Sequence, residues 1–329
     1  MIRPSIRFAS ALALVALSLP LFQASAQQDV PAAPAAAPSS PAPAAAPTFP
    51  KPVPANFSAA SPTKETVNAF IQTSWGYDES RIWEVWAIKN TQAEGVSRVT
   101  ILVGDKSGKQ KPTVIEFFVL PDGKHILTQN DILPFGEHPY AEFRALAQKR
   151  ADGPYRGSAM KDMEIIEFAD FQCPHCKDAQ ANMDKLAVDF PKARIIFQTF
   201  PLSSIHPQAA RSAAYGVCVT KQGGSNAFFT FASAVYDGQE GLATEDGATL
   251  TLNSAVTKAG LDPAKIAECA ATPATVAAVD AMVKLAEDLN INATPTLLVN
   301  GRQVPANAPY DTLKQIILYQ AKLDNVAVQ

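Results

Sequence analysis

The 329-residue chain reads as α/β: a small α+β module (a helix plus an antiparallel sheet), then a larger domain whose βαβ unit carries a helical insertion. Three observations predict this. Residues 81–127 are a series of strand-like runs separated by short turns. Residues 163–168 (MEIIEF) and 194–200 (RIIFQTF) are almost continuously apolar, as strands buried on both faces are, and a helical stripe lies between them. From 207 to about 290 the chain is alanine-rich and helical, broken at Gly223-Gly224 and around 237–241.

Residues 1–26 read as a secretory signal: Arg3 and Arg7 are followed by an apolar stretch over 8–22 and by Ala24-Ser25-Ala26, a small-residue cleavage site. The apolar stretch is short for a membrane span. Residues 27–60 are nearly all Pro, Ala, Ser and Gln, with nine prolines between Pro31 and Pro54. Such a segment has few backbone donors and little surface to bury, so it reads as a disordered linker. The α+β module spans 61–136. Its helix covers 61–75, capped by Ser61 or Thr63; strands follow at 81–89, 96–103 and 113–120, and Asp122-Gly123 turns the chain into 124–127. His125 and His138 stand alone and read as surface residues. Residues 137–154 form a polar connecting helix and linker ending at Ala151-Asp152-Gly153-Pro154.

The second domain spans 155–329. After its first strand comes a helix with Ala179, Met183, Leu186 and Phe190 on one stripe, then the second strand. Beyond the insertion (about 207–290), strand character returns at 296–299, Asn300-Gly301 forms a two-residue hairpin turn, and a last helix from Asp311 carries Leu313, Ile316 and Ile317.

Composition narrows the function. A net charge of −3 gives no support to a nucleic-acid partner. Four cysteines are too few for a disulfide-dense scaffold, and all four lie in the second domain. Cys173-Pro174-His175-Cys176 directly follows the first buried strand and opens the helix, the context of a redox pair. A helix N-terminus offers unpaired N–H groups and partial positive charge, which favour a thiolate. Cys173 is expected as the exposed nucleophile, with Cys176 one turn inside. His175 is expected to donate a hydrogen bond or positive charge to the Cys173 thiolate. Stabilising that thiolate stabilises the reduced form, making the disulfide more oxidising. Pro174 suits the first helical turn, where its missing donor costs nothing. Structural zinc wants four ligands, usually as two spaced pairs, and no second pair lies nearby; no metal is expected.

The stretch from Glu167 to Cys176 (EFADFQCPHC), the helical block and Ala293-Thr294-Pro295-Thr296 together resemble the DsbA family of thioredoxin-fold thiol–disulfide oxidoreductases, over roughly residues 155–325. The resemblance implies a thioredoxin-like fold with a helical insertion and a redox-active disulfide in place of any cofactor. It implies that Pro295 is a cis-proline beside the active site, leaving the Thr294 backbone to pair with an extended substrate. It gives Glu167 the part of the family's buried acid, which accepts a proton when Cys176 attacks a mixed disulfide. A solvated strand-end glutamate is the other reading of Glu167. The partners implied are unfolded or partly oxidised secreted proteins and a membrane redox partner, in the periplasm. Threonine before the proline departs from the usual DsbA valine and is commoner in isomerase-like relatives. The extra N-terminal module is similar to that of DsbC and DsbG, where it forms a dimer. A DsbA-like oxidant is the primary reading, and a dimeric isomerase or reductase stays open.

Cys218 and Cys269, 51 residues apart in alanine-rich helices, are expected to form an inert disulfide; two buried thiols or a second redox pair are the alternatives. His206 is expected as a cap or hydrogen-bonding residue, and Phe168 and Phe171 as core and substrate rim.

Overall fold

A computed structural model describes residues 49–109, 111–129 and 131–329; the expected signal segment and most of the linker lie outside the described residues. The linker's last stretch is structured: a 3-10 turn at Pro54–Asn56 leads to Phe57, which bridges Ile88 and packs on the first core. The module therefore begins earlier than Ser61, because Phe57 supplies the apolar surface that the Pro/Ala run lacks.

Helix α1 (Lys64–Trp75) starts where the Thr63 hydroxyl accepts from the Thr66 N–H. Val67 and Ile71, four residues apart, turn into the core. They pack on an antiparallel sheet of β1 (Arg81–Asn90), β2 (Ser97–Asp105), β3 (Thr113–Val119), β4 (His125–Leu127) and β5 (Ile132–Pro134), in that spatial order. Ile101 on β2 faces Val85 on β1 and Ile115 on β3. At the β3–β4 turn Gly123 has φ +66°, and the Asp122 carboxylate accepts from the Lys124 and His125 N–H groups. The His125 ring also bonds Asp122, whereas β5, three residues long, gave no readable alternation.

Helix α2 (Ala141–Arg150) is more than a polar connector. Ala147, with Ala151 just beyond, packs against Ile166 and Phe168 of the second domain. That domain's sheet holds β6 (Tyr155–Gly157), β7 (Glu164–Ala169), β8 (Arg194–Thr199), β9 (Thr296–Val299) and β10 (Arg302–Pro305), in spatial order β10-β9-β7-β8-β6. Only β7 and β8 are parallel, joined by α3 (Pro174–Asp189). Every residue of β7 is buried, which explains its lack of alternation. The insertion comprises α4 (Ala209–Asp237), bent at Gly224 where φ is +73°, then a 3-10 turn at Gln239–Ala243, α5 (Glu245–Lys258), α6 (Pro263–Ala270) and α7 (Pro273–Asp288). Asn300 and Gly301 take positive φ at the β9–β10 turn, and α8 (Tyr310–Leu323) closes the opposite face with Leu313, Ile316 and Ile317.

The two sheets meet at the end of α1. The Arg302 guanidinium donates to the Ser74 carbonyl at 2.9 Å and to the Thr73 carbonyl, and the Tyr319 hydroxyl donates to the Gln72 carbonyl at 2.6 Å. A cation from the second domain thus caps the negative end of the first domain's helix.

Candidate active site

Cys173 is the N-cap of α3 and Pro174 its first residue; the helix starts here because Pro174 cannot donate and Cys173 is extended (φ −75°, ψ 119°). Cys176 lies one turn in, and both cysteines are free thiols. Cys173 is only 5% exposed and Cys176 wholly buried. The expected exposed nucleophile is thus set into the surface, because Phe171 beneath it is a core ring packed on Phe197 and Phe231. Phe168 and Phe171 are at most 1% exposed, so neither forms a substrate rim; β7 is buried along its whole length.

The pair is strongly polarised. The Cys173 thiol is lowered to about 5, chiefly because the Cys176 thiol donates to its sulfur. The Thr294 hydroxyl, buried and otherwise unpartnered, and the backbone N–H groups of Cys176 and His175 act in the same direction, while burial opposes them. Burial pushes the Cys176 thiol up, and its bond to Cys173 adds to this. The Asp170 N–H points at the Cys176 sulfur at 3.4 Å.

His175 lies at the surface of the site. Its ring is 72% exposed and faces Asp178 at 4.0 Å, since the first turn of α3 points it outward. Its backbone N–H is among the donors that lower Cys173. The Thr294–Pro295 peptide bond is cis, and the Thr294 carbonyl lies 3.6 Å from the Cys173 sulfur. Glu167, 2% exposed on β7, accepts from the Gln180 amide at 2.8 Å; the same amide donates to the Cys176 carbonyl at 3.0 Å. Burial raises the Glu167 carboxyl to about 7, against the Gln180 bond.

Several positioning residues had no part assigned to them from the sequence. The Gln239 amide donates to the Phe171 and Cys173 carbonyls at 2.8 and 2.9 Å, tying the cysteine loop to the insertion. Gln172 donates to the Leu242 carbonyl and accepts from the Gln208 N–H. Asp170 is buried and accepts from the Gln172 and Leu202 N–H groups, and it bonds the His206 ring at 2.8 Å. Gln239 belongs to no motif, Asp170 and Gln172 lie within the Glu167–Cys176 stretch without a readable role, and His206 was legible only as a capping or hydrogen-bonding residue. Cys218 and Cys269 form a disulfide between α4 and α6, with Cα atoms 6.0 Å apart. Among the described residues, no group of three or more His, Cys, Asp or Glu is placed to hold a metal.

The sequence model of a family described as thioredoxin matches residues 149–318. The Na(+)/H(+) antiporter NhaA 3 of Salinispora tropica is 28% identical over 156 residues, 47% of this chain but 22% of the antiporter. The chain thus spans about a fifth of that relative's length. Disulfide bond formation protein D of Bacillus subtilis is 25% identical over 173 residues, covering 51% of this chain and 77% of that protein. The crystal structure of oxidised BdbD from Bacillus subtilis aligns with 52% of this chain and 93% of its own, at 22% identity and a TM-score of 0.47. Among the described residues, no single helix is long and apolar enough to cross a membrane.

Proposed function

The chain belongs to the thioredoxin family, and from that membership and the polarity of its cysteine pair we propose that it is a protein thiol–disulfide oxidoreductase acting as a DsbA-like oxidant. The observation that carries this reading is the opposed ionisation of two cysteines on one helical turn, Cys173 favoured as thiolate and Cys176 as thiol. A client thiolate attacks the Cys173 sulfur of the Cys173–Cys176 disulfide. The S–S bond breaks, a mixed disulfide forms, and Cys176 leaves as a thiolate that must gain a proton. Glu167, held near neutrality and linked to the Cys176 carbonyl through Gln180, is the nearby proton store. A second client thiolate then attacks the client sulfur and expels Cys173, whose low pKa makes it a good leaving group. The client gains a disulfide, the enzyme becomes a dithiol, and a membrane redox partner reoxidises it. The Thr294 backbone, beside Cys173, pairs with the extended client.

The clients are secreted proteins and the place of action is the periplasm. The signal-like residues 1–26 and the Cys218–Cys269 disulfide, a bond favoured in oxidising compartments, support this. The test is oxidation of a reduced, unfolded two-cysteine protein. Cys173→Ser should abolish turnover and Cys176→Ser should accumulate mixed disulfides; dithiol oxidation surviving in Cys173→Ser overturns the reading. A reduction potential at the thioredoxin end of the scale would instead mark a reductase.

A further inference from the structure

We propose that the cleft between the two sheets is a docking groove for one extended, apolar segment of a client polypeptide, an inference that rests on the exchange reading for the identity of the occupant. The cleft encloses about 730 Å³. Residues 114–117 on β3 line one wall and residues 301–305, in and before β10, line the other. Successive residues of a strand point to opposite faces, so a wall of consecutive residues is a strand edge rather than a sheet face. The pairing agrees. β10 is the outer strand of its sheet and bonds only β9. β3 bonds β2 along its length but β4 only at Phe118 and Val119. β3 thus offers an open backbone edge to the groove, and β10 a shorter one from which Pro305 removes a donor.

The chemistry of the groove selects the occupant. Open edges are ordinarily guarded by charge, by proline or by shortness; β10, four residues long with Pro305 in it, is guarded in the last two ways, whereas on the β3 side Glu116 is the one charged residue among the described residues lining the cleft. Arg302 is buried and capping α1, and Glu116, exposed, accepts from the Thr100 hydroxyl. Val114 and Ile115 are 62% and 37% exposed, and Trp75, Tyr77, Tyr140 and Phe143 furnish aromatic surface for alternate side chains. One inserted strand can reach both walls of the cleft, whereas β3 edges paired with each other across a twofold axis would leave the β10 wall uncovered. The groove also leads to the chemistry. Pro305 on β10 pairs with Thr296, and the Ala306 N–H approaches the Pro295 carbonyl at 3.5 Å. A segment lying along β10 therefore runs toward the cis-proline beside Cys173.

The test uses the full chain and a fluorescein-labelled, cysteine-free peptide of about eight residues rich in valine and threonine, followed by anisotropy. Saturable binding is expected, weakened about tenfold or more by N-methylation of alternate peptide nitrogens and by Val114→Lys combined with Ile115→Lys. No binding, or equal affinity for methylated and unmethylated peptide, overturns the proposal. A dimer in sedimentation that excludes the peptide also overturns it, by giving the edge to a second copy. Should the lysine variant fail to fold by circular dichroism, the methylation comparison on the unaltered chain decides. Exchange with a small dithiol, measured on the same protein, keeps the two readings apart. Binding without exchange sinks the oxidoreductase and leaves the groove; exchange without binding sinks the groove alone.

Discussion

Replacing Cys176 with alanine isolates the strongest influence on Cys173. In the native dithiol the Cys176 thiol is the largest of the donors that bring Cys173 to about 5. A hydrogen bond to a charged group contributes about 1.5–3 kcal/mol. At 1.36 kcal/mol per pH unit, losing it should raise the Cys173 pKa by about one to two units, to about 6–7. The remaining displacement from an ordinary thiol belongs to the Thr294 hydroxyl and the backbone N–H groups at the start of α3. Thiolate absorbance near 240 nm, or alkylation rate against pH, reads the change, and Cys173 is then the only free thiol because Cys218 and Cys269 are bonded. Titration of Cys176→Ala unchanged near 5 would falsify the assignment of the donor. A native value above 8 would refute the whole electrostatic account. The consequence for chemistry is direct. At pH 7 a thiol that titrates near 5 is about a hundredfold in favour of thiolate, which makes the disulfide about 60 mV more oxidising than one yielding ordinary thiols.

Glu167→Gln should change the pH dependence of stability. The carboxyl is raised by burial, so the folded state holds its proton more tightly than the unfolded one. The native state is therefore unpenalised below about pH 4.5, loses stability as pH rises toward 7, and is about 3 kcal/mol worse above that. Urea unfolding of variant and native chain should diverge by this amount in the variant's favour between pH 4.5 and 8, while resolution of mixed disulfides slows; parallel stability profiles would remove Glu167 as a titrating group. Removing both Cys218 and Cys269 as alanines opens a 51-residue loop, with a stability loss of about 4 kcal/mol in the chain-entropy treatment; thermal unfolding reads it, and exchange activity at low temperature should persist. Asp170→Ala leaves His206 and two half-buried N–H groups without their acceptor. A loss of about 1–3 kcal/mol is expected in denaturant unfolding, and a change under ~1 kcal/mol would mean that water replaces the carboxylate.

The order of elements was readable because the main runs have one periodicity each. β7 is apolar throughout because both its faces are covered, and the stripe of Ala179, Met183 and Leu186 is the face α3 turns to the sheet. Three kinds of feature escaped. Short edge strands such as β5 and β6 have too few residues to show alternation. The docking of α2 rests on Ala147 and Ala151, whose small side chains leave no apolar signature in a polar helix. The contacts of the cysteine loop are made by side-chain amides from far along the chain, and spacing alone cannot say which glutamine comes near. His175 illustrates the opposite error. Residue type suggested a side-chain donor beside Cys173; the ring lies exposed beside Asp178, and the donor seen at Cys173 is the His175 backbone N–H, which residue type does not encode.

The start of a helix cannot by itself explain a redox pair, because Cys173 and Cys176 both lie within its first turn and its field favours both thiolates. What separates them is asymmetric burial. Cys173 keeps donors around a sulfur at the protein's surface, whereas Cys176 is fully enclosed near the Glu167 carboxyl, which disfavours a second negative charge. The donor that most stabilises the Cys173 thiolate is the proton on Cys176, so holding one sulfur ionised and the other protonated is a single arrangement. Opening the disulfide must therefore deliver a proton into a buried place, and Glu167, near neutrality on the adjacent strand, is the group that burial has prepared to hold one. The chain spends stability above neutral pH to keep that carboxyl there, and the Glu167→Gln profile measures how much.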